Sequence, residues 1–513
     1  MKTSNTKIIG QTFQKIADLV TPTMGAKGRL AVINQEMDRP LLTDDGVTVA
    51  RECYSLKDFE QIPTLSVIEA ASNTEKRAFD GTTLTVQLVN ELYKQGLKWT
   101  KPKILGGLGL HPQQAADKLL EQVEQIRLSL KNTECFPMKK AHVKNLSYIV
   151  TKIPKIGDLV TKAYEIAGSD MNVVIEHDRK IPDTVVEHTQ GIALESGYMD
   201  EALRTYANEG SKTVFKDARL VLLSEGLLTP TMIKNFFMSV PAAEVSTPMV
   251  FVVTPKFNPE SLKFLLDLLT SQQGKINFQF IFLREEHTEE LYLDIAAFTG
   301  GKIQNAAMGT SDYLWEHCGY ADHIEIEQNK SYIHASGDTS DRIASYQEAL
   351  DNHVYDLSMN KEAMIRRRLS SLKSGLVKIK LACATVTEYM TIRLKLDDAI
   401  GAVRNAARDG LVLGGGRALA NISFYKRQAA LRTVLRKPML TILQNAGLSK
   451  RQAMKVLLSD TCAIFDVVSM KKIMVQHLKD ATIIDSFTAI DTALSNAVSI
   501  AASYLRAYIL IRK

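Results

Sequence analysis

Apolar residues recur at helical spacing near both ends of the chain, which predicts amphipathic helices there. Near the start, Phe13, Ile16, Ala17 and Val20 form one stripe, and Leu84, Leu88, Val89, Leu92 and Tyr93 form another. Pro112, tolerated at the first position of a helix, precedes Ala115, Ala116, Leu119, Leu120, Val123, Ile126 and Leu130. From Ser486 onward, Ile490, Ala493, Leu494, Ala497, Val498, Ala501 and Leu505 keep a stripe. Ile509 to Ile511 is then expected to pack or to pair with a neighbouring subunit.

Between about residues 190 and 340 the pattern changes to short apolar runs, Leu220–Leu223, Met249–Val253 and Phe278–Leu283, separated by helical segments. That alternation predicts an α/β layout. His323 to Glu327 alternates, Asn329-Lys330 offers a turn and Tyr332 to His334 resumes, so a hairpin is expected. Asp341 to Ser374 returns to a charged helical pattern with a break near Met359-Asn360. Helical ends around an α/β insert imply nested domains, the chain leaving one body, building another and returning. A chain of 513 residues exceeds one core, and at roughly 100–200 residues per domain it should form two to four.

Composition narrows the function classes. A hydrophobic content of 45% with 23% charged residues describes a globular protein. The net charge of +6 is dispersed, and Arg366-Arg367-Arg368 reads as helix surface, so no nucleic-acid partner is expected. Five cysteines, at 53, 135, 318, 383 and 462, include no C-x-x-C and cannot all pair, which suits a reducing, cytoplasmic setting. Residues 1–10 lack a secretory apolar core, and no run approaches the roughly 20 apolar residues of a membrane span, so neither export nor membrane insertion is expected.

Four segments carry candidate chemistry. In Phe79-Asp80-Gly81-Thr82-Thr83-Leu84-Thr85, a carboxylate and two hydroxyls stand where a helix should begin, so free backbone N–H groups would converge with them on an anion. Asp80 adds the hard oxygen that a phosphate-bound Mg²⁺ favours; an ordinary N-cap explains the same residues. Thr23-Met24-Gly25-Ala26-Lys27-Gly28-Arg29 follows a helical stretch and reads either as an anion-holding turn or as a C-cap. Leu42-Thr43-Asp44-Asp45-Gly46-Val47-Thr48-Val49 reads as a hairpin turn between apolar stretches. Leu396-Asp397-Asp398-Ala399 is followed by Arg404, Asp409 and the triplet Gly414-Gly415-Gly416. For Asp398 the plain alternative is a solvated helix start; for the triplet it is a loop or close packing. G-x-x-x-x-G-K-[ST] is absent, so any nucleotide use lies outside the P-loop class.

Taken in order, T-x-G-x-K-G-R at 23–29, T-x-D-G-V at 43–47, D-G-T-T at 80–83, D-A-x-x-A-x-R from Asp398 to Arg404 and G-G-G at 414–416 resemble the bacterial-type (group I, GroEL-like) chaperonins. Gly197-Tyr198 and Asp294 to Gly301 extend the resemblance through the middle of the chain. It implies a multidomain α and α/β chaperonin architecture. An all-α-rich equatorial domain would comprise 1–127 and 409–513, a small intermediate domain 128–189 and 376–408, and an inserted α/β apical domain 190–375. It further implies an ATP-dependent chaperone that binds nonnative polypeptides in a homo-oligomeric double ring, with ATP, Mg²⁺ and K⁺ as cofactors and a co-chaperonin lid as partner. Thr23, Met24, Gly25, Ala26, Asp44, Asp80, Gly81, Thr82, Thr83 and Leu84 would meet phosphate or metal, with Asp80 the metal ligand. Gly415 would meet the nucleoside, Asp485 the ribose, and Asp398 and Asp45 would serve hydrolysis.

Departures from the family pattern point to a diverged paralogue. Asp44 replaces the usual Lys or Asn, adding negative charge beside the expected phosphates unless a cation intervenes. Phe79 replaces a Gly, Leu84 the third Thr, Ala26 a Pro, and Asp466-Val467-Val468 stands for N-A-A, so that last contact is not carried over. These changes keep open a chaperonin-like binding or regulatory protein with weak or no ATPase activity. For clients, Tyr198, Leu203, Leu262 and Leu266 are candidates, with Met232, Ile233, Phe236, Phe237, Leu265 and Leu269 on stripes that could equally be core. Trp315-Glu316-His317-Cys318 is expected to be surface or core rather than a metal site, and His142, His177 and His188 suggest no nucleophile arrangement.

Overall fold

A computed structural model of the chain describes residues 2–33, 41–52, 60–171, 173–178, 181–189, 191–194, 196–198, 212–224, 236–254, 263, 278–283, 288–304, 314–351, 359–459 and 463–507. The chain folds into two compact units, residues 1–164 with 384–513, and residues 165–383.

The first pass through unit 1 is helical: α1 (Lys2–Val20), α2 (Gly46–Glu52), α3 (Gln61–Ala78), α4 (Thr82–Thr100), α5 (Pro112–Ser129), α6 (Lys140–Thr151) and the start of α7 (Pro154–Ala167), with a short ladder of β1 (Ala31–Ile33) and β2 (Leu41–Thr43). Helix α4 is the axis of this body. Its predicted stripe of Leu84, Leu88, Val89, Leu92 and Tyr93 is buried throughout. Phe13 of α1 meets Tyr93 edge-on at 5.1 Å.

Unit 2 contains β3 (Val173–His177), β4 (Val185–Thr189), β5 (Ile192–Leu194), β6 (Thr213–Leu223), β7 (Met249–Val253), β8 (Phe278–Phe282), α8 (Thr288–Thr299), β9 (Ile303–Gln304), β10 (Gly319–Ile326), β11 (Ser331–His334), α9 (Ser340–Asp351), α10 (Met359–Ser374) and β12 (Leu376–Leu381). Among the described residues its main sheet runs β5-β11-β10-β6-β7-β8, with β9 also on β6, and β3-β12-β4 form a second sheet. Strands β6, β7 and β8 pair in parallel, and Leu220–Leu223, Met249–Val253 and Phe278–Phe282 are buried on both faces, which is why these segments read as short apolar runs. One face packs Leu220, Leu222, Val250, Val252 and Ile281 against Tyr292, Ile295 and Phe298; the other gathers Val221, Phe251, Phe278, Phe280 and Phe236. The expected hairpin is β10–β11, antiparallel in register. The charged helical pattern expected from Asp341 to Ser374 corresponds to α9 and α10, the latter beginning at Met359, and residues 352–358 lie outside the described residues.

Back in unit 1 come α11 (Val386–Asp409), β13 (Leu411–Leu413), α12 (Arg417–Ile422), α13 (Arg432–Asn445), α14 (Lys450–Leu457), β14 (Ala463–Asp466), β15 (Lys471–Met474), β16 (Ile484–Ser486) and α15 (Phe487–Arg506). Helix α15 lies along α3, α4 and α5, so the two ends of the sequence complete one core. No helix among the described residues is long and apolar enough to cross a membrane. Ile509 to Ile511 lies outside the described residues.

Candidate functional site

The site is built in unit 1 at the mouth of α4. Gly81 precedes the helix in the left-handed region without a side-chain cap, and Thr85 N–H is the first to close onto the ladder, at Gly81 O. The N–H groups of Thr82, Thr83 and Leu84 therefore have no acceptor within the helix. The Leu84 side chain, expected at the nucleotide, is buried on the core face, which leaves only its backbone to the site. Asp80 Oδ1 accepts from Gly81 N at 2.6 Å, fixing the carboxylate at the helix mouth.

Two other segments meet this mouth. The buried Thr23 Oγ1 lies 3.5 Å from Thr83 Oγ1, and Asn445 of α13 donates to Thr21 O and Met24 O, holding the turn through Gly25 and Ala26. The 42–49 segment is not a hairpin turn. After β2 the chain enters α2, because Asp45 caps it: Oδ1 accepts from Val47 N at 3.3 Å and Oδ2 from Thr48 N at 2.8 Å and Thr48 Oγ1 at 2.6 Å. Gly46 lets this turn touch α4, since a Cβ there would lie 2.5 Å from Thr83 Oγ1 and 2.9 Å from Thr83 N.

Asp398 lies in the middle of α11, not at a solvated helix start, and among the described residues no donor hydrogen-bonds its carboxylate. Burial, together with the carboxylates of Asp80, Glu75 and Asp45, outweighs Lys395 and pushes Asp398 up to about 7. Asp485, on β16 opposite Val412, is also pushed up to about 7 by burial and by Asp80, against a hydrogen bond from Gly415 N–H. Burial raises Asp80 as well, opposed by the Gly81 N–H, Lys152 and Lys395. Acids from four separate stretches of sequence therefore feel one another here. Glu75, one turn before the end of α3, is a member that no sequence motif marks, and it too is raised by burial and by Asp45.

Asp44 is not the uncompensated charge that its position suggested. Burial alone would raise it, but Lys152 Nζ at 2.7 Å from Oδ2 and Lys395 Nζ at 3.5 Å from Oδ1 hold it below the usual carboxylate range. Nothing in the sequence ties Lys152 to Asp44, 108 positions away. Phe79 occupies a left-handed C-cap, φ 60°, where glycine is the ordinary choice, and its ring lies over Gly401 of α11, one turn beyond Asp398. Asp466 accepts from Val468 N and Ser469 Oγ within its own hairpin, with Lys27 helping to hold it ionised.

The client candidates fare differently. Tyr198 is 1% exposed inside the unit 2 core, and Phe236 is buried with the opposite cluster, so neither side chain is offered to a partner in this structure. Aromatic and apolar residues at these spacings fit a core as well as a groove, and for Phe236 the structure shows the core alternative. Phe237 is partly buried against the same cluster as Phe236. Leu203, Met232, Ile233, Leu262, Leu265, Leu266 and Leu269 lie outside the described residues.

The model of the TCP-1/cpn60 chaperonin family matches residues 16–243. Among solved structures, the chaperonin gp146 from bacteriophage EL 2 (Pseudomonas aeruginosa), crystallised in the presence of ATP-BeFx, is similar over 99% of this chain and 98% of its own. Identity is 17%, with a TM-score of 0.74 for crystal form I; form II gives 0.70 at the same identity and coverage. The fold is of chaperonin type, a multidomain helical body with an inserted sheet-rich region, and the chain is a distant relative of the chaperonin family.

Proposed function

We propose that this chain is an ATP-hydrolysing chaperonin subunit of the bacterial type, which binds nonnative polypeptides in a ring-shaped assembly in the cytoplasm. The observation that carries this reading is the convergence of Asp80, at an uncapped helix mouth, with Asp398 and Asp485, two acids that their surroundings push up to about 7. A carboxylate at the helix mouth that raises two neighbouring acids is part of a donor set suited to a cation, and hard oxygens beside free N–H groups fit a Mg²⁺–phosphate pair. Mg²⁺ held by Asp80 would supply charge neutralisation at the phosphates.

The protein groups have separable tasks. N–H groups of Thr82, Thr83 and Leu84, with the Thr23 and Thr83 hydroxyls and the turn through Met24, Gly25 and Ala26, would bind phosphate oxygens. Asp485, oriented by Gly415 N–H, would take a sugar hydroxyl. Asp398, free of hydrogen-bond donors and titrating near neutrality, is suited to orient a water and accept its proton. Asp45 spends its oxygens on capping α2, so its part is that of a fixed charge. Compensation of Asp44 by Lys152 and Lys395 removes one argument for the weak-ATPase alternative.

The finer assembly belongs to the same proposal: equatorial, intermediate and apical domains at the boundaries given above, a homo-oligomeric double ring, a co-chaperonin lid, and K⁺ beside Mg²⁺. The family resemblance supports these features. The test is Mg²⁺- and K⁺-dependent ATP hydrolysis by the assembled protein beside Asp398→Ala. Turnover should fall by about 10²-fold or more, while nucleotide binding is retained. Absence of turnover in an assembled, nucleotide-binding wild type would sink the ATPase and favour a binding protein on a chaperonin fold.

A further inference from the structure

The β10–β11 hairpin of unit 2 carries a second constellation, independent of the nucleotide reading. His323 and Glu325 stand two residues apart on β10 and so share a face, and His334 on β11 is the direct cross-strand partner of His323. The two imidazole rings are 5.3 Å apart between centroids. Both Nε2 atoms turn toward one carboxylate oxygen, Glu325 Oε1, at 3.3 Å from His323 and 3.9 Å from His334. The three candidate ligand atoms all lie within 4.8 Å of one another. His334 is buried, and His323 and Glu325 are half-buried.

Two ammonium groups already face Glu325: Lys378 Nζ at 2.8 Å from Oε1 and Lys212 Nζ at 3.2 Å from Oε2. Each has another carboxylate to turn to. Lys378 lies 3.4 Å from Glu176 Oε1, a buried oxygen with no hydrogen-bond partner, and Lys212 lies 3.1 Å from Glu327 Oε1. Glu325 can therefore give an oxygen to a metal without leaving either lysine unpaired. We propose that His323, Glu325 and His334 form a three-ligand site for a divalent transition-metal ion of the Zn²⁺ class, with water in the remaining position. Two imidazole nitrogens and one carboxylate select Zn²⁺, Co²⁺ or Ni²⁺ over Mg²⁺ or Ca²⁺. Bound there, the ion ties the two strands of the hairpin through side chains.

The experiment uses the full chain, stripped with chelator and kept in excess Mg²⁺ to occupy the carboxylates of unit 1. Co²⁺ is titrated by visible absorption and Zn²⁺ by calorimetry. One equivalent per chain should bind, and His323→Ala and Glu325→Gln should each weaken binding by about tenfold or more. His188→Ala should leave it unchanged. Because His334 is buried, His334→Ala is read only beside a thermal melt, and the half-buried His323 carries the test. No saturable binding, or binding indifferent to His323→Ala and Glu325→Gln in folded protein, overturns the proposal and leaves an ion-pair network.

Discussion

Buried acids are treated in opposite ways in the two units. In unit 2, Asp294 is 2% exposed, and both its oxygens are held: Oδ1 by Arg342 Nε at 3.0 Å and Tyr346 Oη at 2.9 Å, Oδ2 by Arg368 Nη1 at 3.1 Å. Burial still raises Asp294, but Arg368, Tyr346 and Arg342 all oppose it. In unit 1, the neighbours of Asp398 and Asp485 include further acids that add to the effect of burial. A carboxylate whose charge is answered internally serves the fold; one left beside other carboxylates is held at a cost to the fold and has a place for an external cation.

The largest effect should come from removing one member of each group. Asp294→Ala removes the buried carboxylate that Arg342, Arg368 and Tyr346 share and should cost about 3–5 kcal/mol in chemical unfolding. Asp398→Asn removes a repelled charge and should leave stability unchanged or raised. Equal losses from the two variants would erase the distinction.

Next in size is the contact that keeps Asp80 near α11. A Cβ on Gly401 would lie 2.2 Å from Phe79 Cγ, so Gly401→Ala should destabilise by about 1–3 kcal/mol. Adding Phe79→Gly should recover most of it, because the ring is removed and φ 60° suits glycine. A double variant no better than Gly401→Ala would show that the ring is not what joins the two segments.

The smallest effect is a pH slope. Asp398 and Asp485 have folded pKa values raised to about 7, so the folded protein holds protons that the unfolded chain releases near pH 4. Their stabilising contribution is therefore complete below about pH 4 and is lost as pH rises through 7. Asp485→Asn should flatten the fall in denaturant midpoint over that window, with a gain of about 1–2 kcal/mol at pH 8 after allowance for solvent screening. Added Mg²⁺ should flatten it in the wild type too. A midpoint rising from pH 5 to 8 would contradict the repelled-acid picture.

The sequence by itself determined the longer elements and the insertion of one unit within the other. Apolar spacing marked α4, α5 and α15, and short apolar runs marked β7 and β8, because the pattern reports which faces are buried. Motif reading also singled out Asp80 and Asp398 as acids of interest, and the family resemblance added Asp485. Only the tertiary structure decided which charges meet. Lys152 answers Asp44, Glu75 joins the acids, Asp45 turns from a hairpin position into a helix cap, and Tyr198 moves from candidate surface to core. The reason is physical: burial patterns repeat over one or two turns and leave a local trace, whereas a charge pair depends on distances of a few ångströms between residues far apart in the chain.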